Sequence, residues 1–333
     1  MTKLGLLFAA LVLPIGSIGV SACAQSAPPA QVLASCLDAP RDDRALRLAA
    51  CTAAIGTSSL SAQDRALAYN NRGEAHCGRG EYDEALADQE EAIRLKPGFA
   101  QAFIDKASCH IGKQDVEAAF ADYDQGIALA PRVPGYYRQR AQLYNWIGEH
   151  ERALQDYDKA ISLAPRFNEA MDERANALFE LGRFGEAARQ LVTVIQLTPG
   201  DPYPVLWLHI ARLRAGAPDE VEFQRGIRTL DLKGWPGPLF DLFLGKTTLE
   251  AMRQRGYEVD DPREGECEGA VFGAQYDLAK GDIAAATQLL EEAVSVCYDS
   301  ENQYLISRAD LARLNPAVRD GSHGKAASKE RGT

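Results

Sequence analysis

The chain has 333 residues, 46% of them hydrophobic and 25% charged, so it can bury a core and is neither low-complexity nor fibrous in composition. Asp and Glu outnumber Lys and Arg by 47 to 36, a formal net charge of −11. That balance repels phosphate backbones and anionic lipid surfaces, which argues against nucleic acid as a partner.

The first element is a targeting segment. Lys3 precedes the apolar run 4–13, too short to span a bilayer, and Pro14, Gly16 and Gly19 break it. Residues 1–22 therefore read as a signal peptide. Two cleavage readings stay open. Val20-Ser21-Ala22-Cys23 resembles the lipobox of bacterial lipoproteins, which would make Cys23 the lipidated first residue, and Ala24 after it suggests sorting to the outer membrane. Ala22-Cys23-Ala24 also fits ordinary signal-peptidase cleavage, leaving a soluble periplasmic protein that starts at Gln25. No other segment is long and apolar enough to cross a membrane, so any membrane association is expected through the lipid alone. Residues 23–31 read as a flexible tether.

Export places the remaining cysteines, Cys36, Cys51, Cys77, Cys109, Cys267 and Cys297, in an oxidising compartment. Residues 32–60 read as an amphipathic capping hairpin with Leu46, Ala49, Ala50 and Ile55 on one face. Cys36 and Cys51, 15 residues apart, are placed to staple it, a link of about 3 kcal/mol by loop entropy.

Four prolines follow at one interval of 34 residues: Pro97, Pro131, Pro165 and Pro199. They divide the chain into 66–99, 100–133, 134–167 and 168–201, each reading as two helices. The eighth position of each unit is small (Gly73, Ala107, Ala141, Ala175), as is the twentieth (Ala85, Ala119, Ala153, Ala187). Large residues recur at the fourth position (Tyr69, Phe103, Tyr137, Met171) and leucine at the thirtieth (Leu95, Leu129, Leu163, Leu197). Small residues let helix axes approach and large ones fill the space between them. Gly80, Gly148 and Gly182 supply inter-helix turns, and each proline ends its unit. The pattern resembles the tetratricopeptide-repeat family over 66–201. The expected fold is all-α, a solenoid of helical hairpins, and the resemblance implies a superhelix that binds proteins or peptides.

The seventh position of these units is basic: Arg72, Lys106, Arg140 and Arg174. Sixteen residues later stand Asp88, Asp122, Asp156 and, in the fourth unit, Gln190. A cation on an inward position needs a partner, so a cross-hairpin ion pair is expected in each unit. His76 and His110, at the eleventh position, read as packed core histidines.

The groove of such a stack is lined by first-helix positions two, five, nine and twelve. The expected peptide-binding residues are Asn70, Glu74, Gln101, Ser108, Arg138, Gln142, Asn145, Asp172 and Asn176. Amides suit an extended peptide because they both donate to and accept from its backbone. Cys77 and Cys109 lie on first helices of adjacent units, either bridged or free beside the groove. No catalytic or metal-ligand spacing is present, so the reading has no enzyme activity, no metal and no cofactor.

After Pro199 the register weakens. Residues 202–265 read as divergent helical hairpins, broken at Trp235-Pro236-Gly237-Pro238. Residues 266–315 read as a further repeat-like hairpin, with Cys267 and Cys297 facing each other across it, and a capping helix. Residues 316–333 read as a disordered tail. The Trp207-Leu208…Ala211…Gly216 helix, Trp235-Pro236 with Leu244-Gly245, and the Tyr276…Gly281-Asp282 hairpin give this order of parts a resemblance to NlpI-type outer-membrane lipoproteins. That resemblance implies a periplasm-facing adaptor, often dimeric, that scaffolds proteases and peptidoglycan hydrolases. A homodimer is possible on this reading, and the competing ones are a structural envelope component that works by self-association and a hydrolase subunit with its site in the 203–265 region.

Overall fold

The computed structural model describes residues 28–217, 220–298 and 302–315, and these form seventeen α-helices and no strand. The signal peptide, Cys23, most of the tether and the 316–333 tail lie outside the described residues. The chain divides into two compact units, 1–97 and 98–333.

The first unit holds α1 (Pro29–Leu37), α2 (Arg44–Gly56), α3 (Ala62–Gly78) and α4 (Tyr82–Leu95). Helix α1 begins inside the stretch read as tether. Pro29 occupies its first turn, where a missing N–H is no loss. Asp43 caps α2 through the Leu46 N–H at 2.9 Å, and Ser61 caps α3 through Asp64 N–H at 3.1 Å. The Cys36–Cys51 disulfide closes the capping hairpin and is fully buried with Ala54 and Ala68. The inward face of α2 differs from the sequence reading. Leu46 is 50% exposed, whereas Arg47 points in beside Cys51 and Ala54. Two bonds hold Arg47 there: its guanidinium donates to the Ala39 carbonyl at 2.8 Å and to Glu74 at 2.7 Å. The disulfide and this ion pair, rather than aliphatic area, select the face.

The second unit holds three hairpins in the expected frame: α5 (Ala100–Gly112) with α6 (Val116–Leu129), α7 (Pro134–Trp146) with α8 (His150–Leu163), and α9 (Asn168–Glu180) with α10 (Phe184–Leu197). Ala107, Ala119, Ala141, Ala153, Ala175 and Ala187 are all fully buried, as axes in close approach require. Gly148 and Gly182 turn their hairpins at φ +84° and +73°. The α5–α6 turn has Gln114 at the equivalent place, the one described residue other than glycine with positive φ, at 63°.

The ion pairs expected across the first three hairpins form, and the fourth has a hydrogen bond to a neutral amide in their place. Arg72 grips Asp88 with two bonds of 2.6 and 2.7 Å in the first unit. In the second, Arg140 grips Asp156 at 2.7 and 2.8 Å, and Lys106 reaches Asp122 at 3.5 Å. Arg174 donates to Gln190 at 3.3 Å. Two of these arginines also reach back one hairpin, Arg140 to Asp124 at 2.5 Å and Arg174 to Asp158 at 2.7 Å. Each therefore ties three helices and fixes the step between neighbours. The hydrogen bonds from Asp156, then burial working against them, hold the Arg140 guanidinium above its ordinary pKa. His76 and His110 belong to the same network rather than to an apolar core. His76 Nδ1 is 2.7 Å from Glu81 and His110 Nε2 is 3.5 Å from Asp122.

Beyond the repeats come α11 (Pro202–Arg214), α12 (Glu220–Ile227), α13 (Gly237–Phe243), α14 (Leu249–Gly256), α15 (Pro262–Lys280), α16 (Ile283–Val296) and α17 (Asn302–Leu314). Trp207 lies between the rings of Phe179 and Phe272, 5.0 Å from each, and so joins α11 to α9 and α15. Gly256 and Gly265 bring α14 onto α15, since a Cβ on Gly265 would stand 1.9 Å from the Gly256 carbonyl oxygen. The Cys267–Cys297 disulfide joins the α15–α16 hairpin as expected. Helix α17 packs on α16 and also against α15 and α9. Arg214 pairs with its buried Asp310 at 2.8 Å, Gln275 donates to the same carboxylate at 2.8 Å, and Arg313 donates to the Glu180 carbonyl at 2.6 Å. Burial alone would raise the Asp310 carboxyl, but Arg214, Arg313 and Gln275 hold it below its ordinary range. Helix α17 is thereby fastened to first helix α9 and to α11.

Candidate functional site

The start of α17 forms one wall of an open cavity of about 610 Å³ within the second unit. Helix α7 supplies Gln139, Gln142, Asn145 and Trp146, and α5 supplies Ser108 and Ile111. Tyr123 from α6, Tyr157 from α8 and Glu173 from α9 also line it, while Asn302, Gln303 and Leu305 close the far side. Burial pushes the Tyr123 hydroxyl up to about 12, with Ser108 opposing by a hydrogen bond, and burial raises Tyr157 further. Both tyrosines are therefore neutral and act as apolar walls with a polar tip.

The sequence-predicted residues divide into several groups. Ser108, Gln142 and Asn145 line this cavity, and Asp172 and Asn176 line a second, smaller one. Asn70 and Glu74 belong to the first unit, where Glu74 is engaged by Arg47. Arg138 is engaged by Glu173 on the next first helix, to which its Nε and Nη2 donate at 3.0 and 2.5 Å. Gln142 donates to the same carboxylate at 2.8 Å. Burial raises the Glu173 carboxyl despite Arg138 beside it. Gln101 donates to Asp105 at 2.8 Å and accepts the Tyr136 hydroxyl at 3.1 Å. Asn145 is buried and donates to Glu180 at 2.8 Å, with His150 Nδ1 2.8 Å from its side-chain oxygen. These side chains shape the groove floor by binding one another across neighbouring hairpins.

Sequence reasoning missed Gln139, Tyr123, Tyr157 and the α17 residues. Gln139 and Glu173 share the sixth position of their units, and Tyr123 and Tyr157 share the twenty-fourth. Both regularities belong to the repeat frame, but positions two, five, nine and twelve do not include them. Nothing local to 302–305 signals its place there.

The second cavity, about 250 Å³, shares Asn302 and Gln303 with the first and lies against α9, α11 and α15. Burial, then the charges of Asp201 and Glu173, push the Asp172 carboxyl up to about 6. Tyr203 donates to Glu268 at 3.0 Å and the Trp235 indole donates to the same oxygen at 2.5 Å.

Tetratricopeptide-repeat models match residues 66–99 and 139–202. The chain is similar to a solved tetratricopeptide repeat protein from Parabacteroides merdae ATCC 43184, with 15% identity, a TM-score of 0.50, and coverage of 84% of this chain and 98% of that one. It is also similar to the C-terminal part of a TPR repeat-containing protein from Cytophaga hutchinsonii, with 15% identity, a TM-score of 0.51, and coverage of 81% and 95%. At such identity these likenesses speak for the fold alone. No curated protein matches the chain. The 34-residue frame, the buried alanines and the all-helical hairpins agree with these matches: the hairpins over 66–99 and 139–202 are tetratricopeptide repeats.

Proposed function

We propose that the protein is a non-catalytic scaffold of the bacterial cell envelope that holds an extended stretch of a partner polypeptide in the groove of its second unit. The observation that carries the reading is the lining of the larger cavity. Gln139, Gln142, Asn302 and Gln303 offer amide donors and acceptors around the ring faces of Tyr123, Tyr157 and Trp146. Amides match the alternating N–H and C=O of a peptide backbone, and aromatic walls take its side chains at low entropic cost. The floor is pre-organised by the Arg138–Glu173–Gln142 cluster, which lowers the ordering cost of binding.

The envelope location rests on the leader and Cys23, and the adaptor role on the resemblance to NlpI-type lipoproteins. Proteases and peptidoglycan hydrolases are the partners that resemblance suggests. Labelling cells with a palmitate analogue tests the anchor: label is expected on the chain and lost with Cys23→Ala, and an unlabelled wild type means a soluble periplasmic protein. For the groove, peptides selected from a random display library on the full chain are expected to lose binding when Gln142→Trp fills the cavity. Selected peptides that bind wild type and variant equally would place the site elsewhere.

A further inference from the structure

We infer that the acidic cavity beside the start of α17 is a subsite for a single Lys or Arg side chain of the bound polypeptide. This rests on the groove reading above and adds the chemistry of the segment that is held.

Four carboxylates line the cavity, from three helical elements: Asp172 on α9, Asp201 capping α11, and Glu264 and Glu268 on α15. No basic side chain lines it. Asp172, Asp201 and Glu264 form no ion pair among the described residues. An independent feature points the same way. Asn176 is only 6% exposed and lines this cavity, and its side-chain amide has no hydrogen-bond partner among the described residues. Buried polar groups are normally satisfied, so an amide left open toward a cavity marks a place where a ligand atom belongs.

Elsewhere in this unit, three buried or half-buried acids have an arginine beside them. Glu173 has Arg138 at 2.5 Å, Asp156 has Arg140 at 2.7 Å, and Asp310 has Arg214 at 2.8 Å. Asp172, half-buried, has no such arginine in the lining of its cavity. Gathering carboxylates in a partly desolvated pocket is unfavourable until a cation arrives, and the raised Asp172 carboxyl reflects the same crowding.

The cation that fits is organic. Among the described residues no group of three or more Asp, Glu, His or Cys is arranged to hold a metal ion. Tyr203 and Trp207 contribute aromatic surface, which attracts ammonium and guanidinium groups. The Asn176 amide oxygen accepts an N–H from either head group. Because Asn302 and Gln303 line both cavities, a backbone lying in the larger one can send a long side chain into the smaller. Lys and Arg suit such a place because each carries its charged head on a long apolar stem.

The test uses the full chain, with blocked tetralysine and blocked tetraglutamine as probes in isothermal titration at about physiological salt. Tetralysine is expected to bind at least about tenfold more tightly than tetraglutamine. Asp172→Asn with Glu264→Gln should remove that preference. A second variant, Glu264→Lys at an exposed position, should do the same by supplying the cation internally. The control pair Glu117→Gln with Glu250→Gln removes the same charge from exposed sites and should change tetralysine affinity less than about twofold. Equal weakening by the cavity and control pairs would assign the attraction to the diffuse field of the acidic chain and overturn the subsite. Groove binding of display-selected peptides without any preference for lysine would overturn it while leaving the groove reading intact. Selected peptides indifferent to Gln142→Trp would instead sink the groove reading itself.

Discussion

Replacing Asp172 by Asn offers a direct measure of how strained the acidic cavity is when nothing occupies it. Burial, Asp201 and Glu173 raise its carboxyl from 3.8 to about 6. At about pH 7.5 the group is charged in both folded and unfolded chains, and only the folded chain bears the cost of that charge. Each pH unit between the two pKa values corresponds to about 1.4 kcal/mol, which sets a ceiling of about 3 kcal/mol. Asp172 keeps partial access to water, so about 1–2 kcal/mol is the realistic share. The sign follows from linkage. A raised carboxyl binds its proton more tightly in the folded state, so this group's penalty fades as pH falls from about 6 to about 4 and is gone once both states are protonated.

Asp172→Asn is thus expected to raise the melting temperature by about 2–6 °C at about pH 7.5 and to converge on wild type near pH 4. Differential scanning calorimetry across that range checks both the size and the pH dependence. A variant less stable than wild type at neutral pH would show that the carboxylate is satisfied in the free protein. The same experiment with tetralysine present should narrow the advantage of the variant, because the bound cation relieves the wild type alone.

Three other perturbations probe the frame that builds the groove. Asp156→Ala leaves Arg140 half-buried with only the exposed Asp124, and should cost about 2–3 kcal/mol in urea unfolding; the matched Arg140→Leu with Asp156→Leu should cost markedly less, and equal losses would contradict the desolvation argument. Gln114→Gly removes a side chain from a left-handed turn and should stabilise by about 0.5–1 kcal/mol, whereas Gly148→Gln should destabilise by at least as much; urea midpoints decide. Cys267→Ser with Cys297→Ser releases a link spanning 30 residues and should lower stability by about 3–4 kcal/mol in the loop-entropy estimate, read against the oxidised wild type.

The features legible in the sequence are those that a single hairpin imposes on itself. Buried alanines, turn glycines and the basic–acidic pairs sixteen residues apart recur because every unit solves the same packing problem, and repetition makes that solution visible. The cap was read less well for the complementary reason. It occurs once, and its inward face is chosen by Arg47 and a disulfide, which hydrophobic periodicity does not register, so Leu46 was assigned inward although it faces water. The groove was legible as a set of positions but not as a set of free groups. Arg138, Gln142 and Asn145 each meet a carboxylate 31 to 35 residues away, on the neighbouring first helix. One repeat period is 34 residues, so residues at nearly the same position in successive units touch, and a polar groove is consequently also a self-bonded one.

That logic separates the two cavities. Within the repeats, polar groups can be matched by their counterparts one period away, as Arg138, Gln142 and Asn145 are. Asp172 and Asn176 sit on the last first helix of the regular array, where the next helix, α11, carries Trp207 in place of a polar partner and α15 brings Glu264 and Glu268. The periodic pairing fails there because the period ends. Asp172, Glu264 and an open amide, none with a cation beside it, therefore collect at the junction between the repeats and the divergent hairpins, and α17, fastened by Asp310 and Arg313, holds that junction beside the groove. An end of register that was left unsatisfied would ordinarily be filled with apolar residues. Its filling with acid is the physical reason to look for a cation from a partner.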